Sequence, residues 1–149
     1  MGIMASIRTF FSKEDKIEIK KAILNAELDT SGEIRVHLET VCEEEVLDRA
    51  SYLFTKLGMK NTQLRNGILF YIAVKSQKFA IIGDEGINAS VPENFWVDIK
   101  ENMRTHFIKG EFVLGLREGI ETTGKQLKRH FPHHLDDINE LSDEISFGK

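Results

Sequence analysis

Residues 33–41 read EIRVHLETV, residues 43–57 read EEEVLDRASYLFTKL, and residues 67–74 read GILFYIAV. In the first stretch Ile34, Val36 and Leu38 alternate with Arg35, His37 and Glu39. Alternation at period two with β-branched residues predicts a strand with one buried and one polar face. In the second, Val46, Leu47, Ala50, Leu53, Phe54 and Leu57 share one helical face, and Gly58 is placed to cap the end. The third is apolar almost throughout, as a strand covered on both faces should be. Strand, helix, strand is a βαβ unit, so its two strands are expected to run parallel. An α/β fold class follows.

The flanks fit this reading. Ser12 with Asp15 forms a loose capping box, and Ile19, Ala22, Ile23 and Ala26 repeat at helical spacing, which predicts a helix over 13–28. Residues 29–32 (DTSG) are turn chemistry. Residues 78–82 (KFAII) follow a short polar break and predict a hairpin partner for 67–74, so the sheet is mixed. A further helix is expected from Pro92, with Trp96, Ile99, Met103 and Phe107 on one face, ending at Gly110. The last long helix carries Phe112, Leu116, Ile120, Thr123 and Leu127 on one face and runs toward Pro132. Gly115 and Gly119 lie on it, and each costs about 1 kcal/mol against alanine, so close packing on a neighbour is expected there. Leu135, Ile138, Leu141 and Ile145 beyond it suit either a docked amphipathic turn or disorder.

The chain has 149 residues, enough for one domain with a core of its own. Its single cysteine, Cys42, allows no internal disulfide. No apolar run suits a membrane span and the N-terminus does not read as a secretory signal, so a cytoplasmic monomer is expected. The net charge of −4 is unevenly placed. Residues 133–149 hold five acids and one base, so residues 1–132 balance at nineteen of each. We therefore divide the chain into a neutral domain over 1–132 and an acidic tail over 133–149. Neither part carries the basic footprint that nucleic acid or an anionic membrane needs.

The predicted topology brings three segments to one end of the sheet: Asp29, Ser31 and Glu33; Arg65, Asn66 and Gly67; and Gly83, Asp84, Glu85, Gly86 and Asn88. Hard cations such as Ca2+ take oxygen ligands from carboxylates, amides and backbone carbonyls. The candidate metal ligands are Glu33, Asp84 and Glu85, with Asp29 or Asn66 assisting. Arg65 could clamp a phosphate, with Gly83 and Gly86 letting the backbone approach it. The plainer alternative is a set of polar loop ends whose glycines serve only turns. No EF-hand spacing, GxGxxG or GxxxxGK[ST] motif is present. His130, His133 and His134 cluster around Pro132, where a solvated helix end explains them as well as zinc does.

Several of these stretches together resemble the TPM domain family, named for a thylakoid lumen protein, a photosystem II repair-associated protein and a nematode receptor modulator. They are SGEIRV (31–36), RNGIL (65–69), FAIIGDEGIN (79–88), Val91-Pro92 with Phe95-Trp96, and Phe107-Ile108-Lys109-Gly110 with Gly115, Gly119 and Gly124. The chain is most similar to bacterial stand-alone members. The resemblance implies a three-layer α/β/α sandwich, Rossmann-like, with a small mixed central sheet and helices on both faces. It also implies a divalent metal site, with calcium the usual ion, in loops near the sheet end. Plant members are credited with a weak acid phosphatase activity. The glycine-tyrosine-glycine-leucine-glutamate form of the plant and secreted members is GDEGIN at 83–88 here. Three readings follow: a Ca2+ (or Mg2+) binding module with a regulatory or interaction role, a metal-assisted phosphomonoesterase, and a metal-independent protein-interaction domain that uses the acidic tail.

Overall fold

The computed structural model describes residues 10–28, 30–132 and 141–148. The elements follow the order α1 (Lys13–Glu27), β1 (Glu33–Glu39), α2 (Val46–Lys56), β2 (Gly67–Ala73), β3 (Lys78–Gly83), α3 (Glu85–Ser90), α4 (Phe95–Ile108), α5 (Phe112–His130) and β4 (Ser146–Phe147). The sheet order is β3-β2-β1-β4. Strands β1 and β2 are parallel from Glu33↔Gly67 to Glu39↔Ala73, and β2 and β3 form the expected antiparallel hairpin.

One face of the sheet presents Ile34, Val36, Leu38, Ile68, Phe70 and Ile72, which pack with buried residues of α1, α4 and α5. The other presents Leu69, Tyr71, Ala73 and Ala80, which pack with Ala50, Leu53 and Phe54 of α2. This is the expected α/β/α sandwich. The helix glycines serve close packing, as their cost implied. A Cβ on Gly119 would lie 2.6 Å from the Met103 sulfur of α4, and one on Gly124 would lie 2.6 Å from Ala26 of α1. Among the described residues, no helix is long and apolar enough to cross a membrane.

Four local departures have physical causes. Helix α2 begins at Val46 rather than 43, because the chain before it is held extended, with the Cys42 amide donating to Ser76 Oγ at 2.8 Å. Helix α4 begins at Phe95, with Pro92 forming a preceding turn through Phe95 N–H to Pro92 O at 3.0 Å. Residues 85–90, read as loop, form α3, capped by the Asp84 side chain and anchored by the fully buried Ile87. Within the tail, β4 pairs in parallel with β1 through His37↔Ser146 and Leu38↔Phe147. The spacing at 135–138 and His133 and His134 lie outside the described residues.

Strand β1 departs most from expectation. The alternation predicts a polar, solvated face, yet His37 and Glu39 are each 3% exposed. Arg49 of α2 reaches over that face and donates to Glu39 through Nε at 3.0 Å and Nη2 at 2.5 Å. The Tyr71 hydroxyl donates to Glu39 Oε1 at 2.6 Å, and Ser146 Oγ lies 2.7 Å from His37 Nδ1. His37 and Glu39 are buried because each finds a polar partner on a neighbouring element.

Candidate functional site

The three expected segments do meet at one end of the sheet. The Glu33 amide donates to Asn66 O at 3.2 Å, the Asp84 amide to Gly67 O at 3.0 Å, and the Gly86 amide to Arg65 O at 2.8 Å. The start of β1 is also pinned to the end of α5. Ser31 N–H donates to Phe131 O at 2.9 Å, and the Thr30 hydroxyl donates to Leu127 O at 3.1 Å.

Arg65 and Asp84 face each other directly. The guanidinium donates from Nε to Oδ2 at 2.8 Å and from Nη2 to Oδ1 at 2.9 Å. This fork geometry matches a carboxylate bidentately. Asp84 is 4% exposed, and its Oδ1 also accepts the Glu85 amide at 2.7 Å as the cap of α3. The pair holds the Arg65 guanidinium more firmly protonated than usual, chiefly through the hydrogen bond to Asp84. The Glu85 side chain is 78% exposed, and its Oε2 lies 3.5 Å from Arg65 Nη1. Arg65 itself sits at φ 50°, in the left-handed region.

Gly86 is required for close approach. A Cβ there would lie 2.1 Å from Leu64 O and 2.7 Å from Arg65 O. Its amide is committed to Arg65, and the Gly83 carbonyl accepts from Asn88 Nδ2 at 3.0 Å. Both glycines thus hold the loops together. Asn66 is 1% exposed and donates from Nδ2 to Ser31 Oγ at 3.2 Å, while its own amide donates to Thr62 Oγ1 at 3.1 Å. Glu33 is 3% exposed, and its Oε1 accepts the Leu141 amide at 2.5 Å. Asp29 lies outside the described residues. Among the described residues, no group of three or more His, Cys, Asp or Glu side chains stands close enough to hold a metal ion unaided.

Two acids that the sequence reading passed over belong to this end of the molecule. Glu27, the last residue of α1, accepts the Ile34 amide at 2.8 Å and interacts with Asp143 and Glu33. Burial first, and then the hydrogen bond and charge of Asp143 and the charge of Glu33, push its carboxyl up to about 9. A signal was present: Glu27 follows Ile23 by one helical turn, so it continues the apolar stripe of α1. Asp143 gave none, because nothing in the chain pattern places the tail beside α1.

The raised group sets a pH dependence. A carboxyl held above its ordinary value binds its proton more tightly in the folded state. Stability is therefore full below pH 4.5 and declines as pH rises toward about 9. Glu27→Gln keeps an acceptor for the Ile34 amide and removes the titration. The variant is expected to flatten that decline, with a larger gain in Tm over wild type at pH 8 than at pH 4.5 in thermal melts. Parallel curves would remove the explanation.

The TPM domain family model matches residues 7–126. No curated protein is matched by the chain. The NMR structure of BA42, from the psychrophilic bacterium Bizionia argentinensis, superposes with a TM-score of 0.90 at 46% identity, covering 97% of this chain and 100% of that one. Two structures share the fold at lower identity. The N-terminal domain of cg2496 from Corynebacterium glutamicum has TM-score 0.65 at 11% identity, covering 85% of this chain and 83% of that one. The N-terminal domain of a P. gingivalis protein has TM-score 0.66 at 20%, covering 85% and 84%. A family model spanning most of the chain and a relative at 46% identity along nearly all of it agree: the chain belongs to the TPM domain family.

Proposed function

We propose that this chain is a divalent-cation-binding module with a regulatory or interaction role, taking Ca2+ (or Mg2+) at the end of the sheet. The carrying observation is the excess of carboxylates there over cations. Two carboxylates, Asp84 and Glu85, share the guanidinium of Arg65, and Glu33 opens the neighbouring strand, paired in register with Gly67. The amide of Asn66 and several loop carbonyls add neutral oxygens, the donor type a hard cation selects. The fit is in kind rather than in readiness, because Arg65 already neutralises Asp84. A bound ion would supply the charge that Arg65 now supplies, so ion and guanidinium compete for the same carboxylate. Asp29, which precedes Thr30 in the sequence, is the further carboxylate that this reading assigns to the ion.

Competition gives the reading its test. Calcium titrated into labelled protein should move the amides of 32–33 and 83–88 in 1H–15N spectra. Arg65→Gln should tighten binding several-fold, since the ion no longer displaces a bidentate partner. Amides that stay in place up to millimolar calcium in both proteins would defeat the reading. So would Arg65→Gln binding no more tightly than wild type.

A further inference from the structure

At the opposite end of the sheet, where β2 ends and β3 begins, a cleft of about 510 Å3 opens between the hairpin, the start of α2 and the α4–α5 junction. Small-molecule sites commonly occupy roughly 300–1,000 Å3. Its walls are aromatic. Phe79 and Phe107 meet edge to face at 5.1 Å, and Phe107 and Phe112 stack at 5.4 Å. All three rings are only half-buried, and Ile108 at the mouth is 79% exposed. This apolar surface is continuous, and a charged face would serve a solvated end better.

The charge of the lining has one sign. Among the described residues that line the cleft, Lys78 and Arg104 are the charged ones and none is a carboxylate. They come from different sides: Lys78 begins β3, and Arg104 belongs to α4. Lys78 Nζ donates to the carbonyls of Cys42 at 3.2 Å and Glu44 at 3.4 Å, which fix its position without cancelling its charge. Arg104 lies over the Phe79 ring at 5.8 Å. Its carboxylate contact is with Glu101 at 3.8 Å, between side chains that are 58% and 68% exposed, and such a pair is worth little.

We propose that this cleft binds a free aliphatic carboxylate of medium chain length. The tail would lie along the three phenylalanines and Ile108, and the head would sit between Lys78 and Arg104. A guanidinium matches a carboxylate bidentately, and an ammonium adds a second donor from the other bank. A neutral chain would gain only the apolar part. A cationic chain would meet two like charges.

The test compares three ligands of one chain length below their micelle concentrations: decanoate, 1-decanol and decyltrimethylammonium. Chelator is present, so the sheet-end cation site plays no part. Decanoate is expected to shift the amides of 77–79 and 107–108 and to bind at least tenfold more tightly than either other ligand. Arg104→Glu, at an exposed position outside the core, should weaken decanoate at least tenfold while leaving Tm unchanged. Adding Lys78→Glu should reverse the preference toward decyltrimethylammonium. Equal affinity for all three ligands would overturn the proposal, as would decanoate shifts centred on Lys13, Lys16 and Lys20 of α1, which line a separate cleft with Phe11 and Phe147. Decanoate binding that is indifferent to Arg104→Glu would overturn it too.

Discussion

Replacing Glu39 with alanine is expected to cost this fold about 3–5 kcal/mol, the range for removing one partner of a buried ion pair. Glu39 joins two layers. It accepts two bonds from Arg49 of α2, one from the Tyr71 hydroxyl of β2, and stands 3.5 Å from His37 Nε2. Alanine would leave the guanidinium, the phenol and the imidazole facing a void. At roughly 2–4 °C per kcal/mol for a chain of this length, Tm should fall by about 6–20 °C. Glu39→Gln keeps an acceptor for Tyr71 and loses only the charge, so its cost should be clearly smaller. The pH profile separates charge from packing. Burial alone would raise the Glu39 carboxyl, but the hydrogen bonds from Arg49 and Tyr71 outweigh it and hold the group below 4.5. A depressed carboxyl contributes stability that is present above its ordinary value and lost as pH falls through the folded one. Wild type should therefore lose stability on acidification below about pH 4.5, and Glu39→Gln should lose less. Equal Tm values for Glu39→Ala and wild type would mean that the two layers are not joined here.

The same residue shows where sequence reading stops. The alternation along β1 is real, and it correctly sends Ile34, Val36 and Leu38 to the main core. It takes Arg35, His37 and Glu39 for a solvated face because a charged residue is solvated unless paired. Pairing is a tertiary fact. Arg49 is half-exposed on an amphipathic helix, and nothing local says that it turns inward. The candidate site divides in the same way. Topology alone brings Glu33, Arg65, Asn66 and Asp84 to one end, because parallel strands with an antiparallel third leave only one place for those loops. It does not say who pairs with whom. Arg65 and Asp84 were read as a phosphate clamp and a metal ligand, and they are bonded to each other. Helix α3 escaped notice because six residues carry one buried side chain, Ile87, and a single residue has no period. Strand β4 escaped for the same reason, with two residues.

Deleting residues 141–149 should be the second large perturbation, and its reason lies in that short strand. The charge count along the chain sets residues 133–149 apart as an acidic tail, whereas residues 141–148 touch the whole length of β1. Leu141 donates to Glu33, Ser146 meets His37, and the Gly148 amide donates to Leu38 O at 2.8 Å. Ile145 and Phe147 pack on the main core, and Leu141 packs on the cluster beneath α2. A Cβ on Gly148 would lie 2.3 Å from Glu39 Oε2, so the segment closes directly over the buried polar row. Three half-buried apolar side chains at ~1 kcal/mol each and three hydrogen bonds at ~0.5–1 kcal/mol each sum to about 4–6 kcal/mol. One term opposes this loss. Removing Asp143 relieves Glu27 of its nearest acid, so the net cost should be smaller at pH 8 than at pH 5. Thermal melts of the truncated chain should show a Tm lower by roughly 8–24 °C at neutral pH. The His37 ring gives an independent readout. Burial now holds its pKa below 6.5, against the pull of Glu39. With the segment gone, water reaches the imidazole while Glu39 stays beside it, so its titration in NMR spectra should move upward. A truncated chain that melts within 2 °C of the full one, with His37 titrating unchanged, would mean that the sheet ends at β1 in solution.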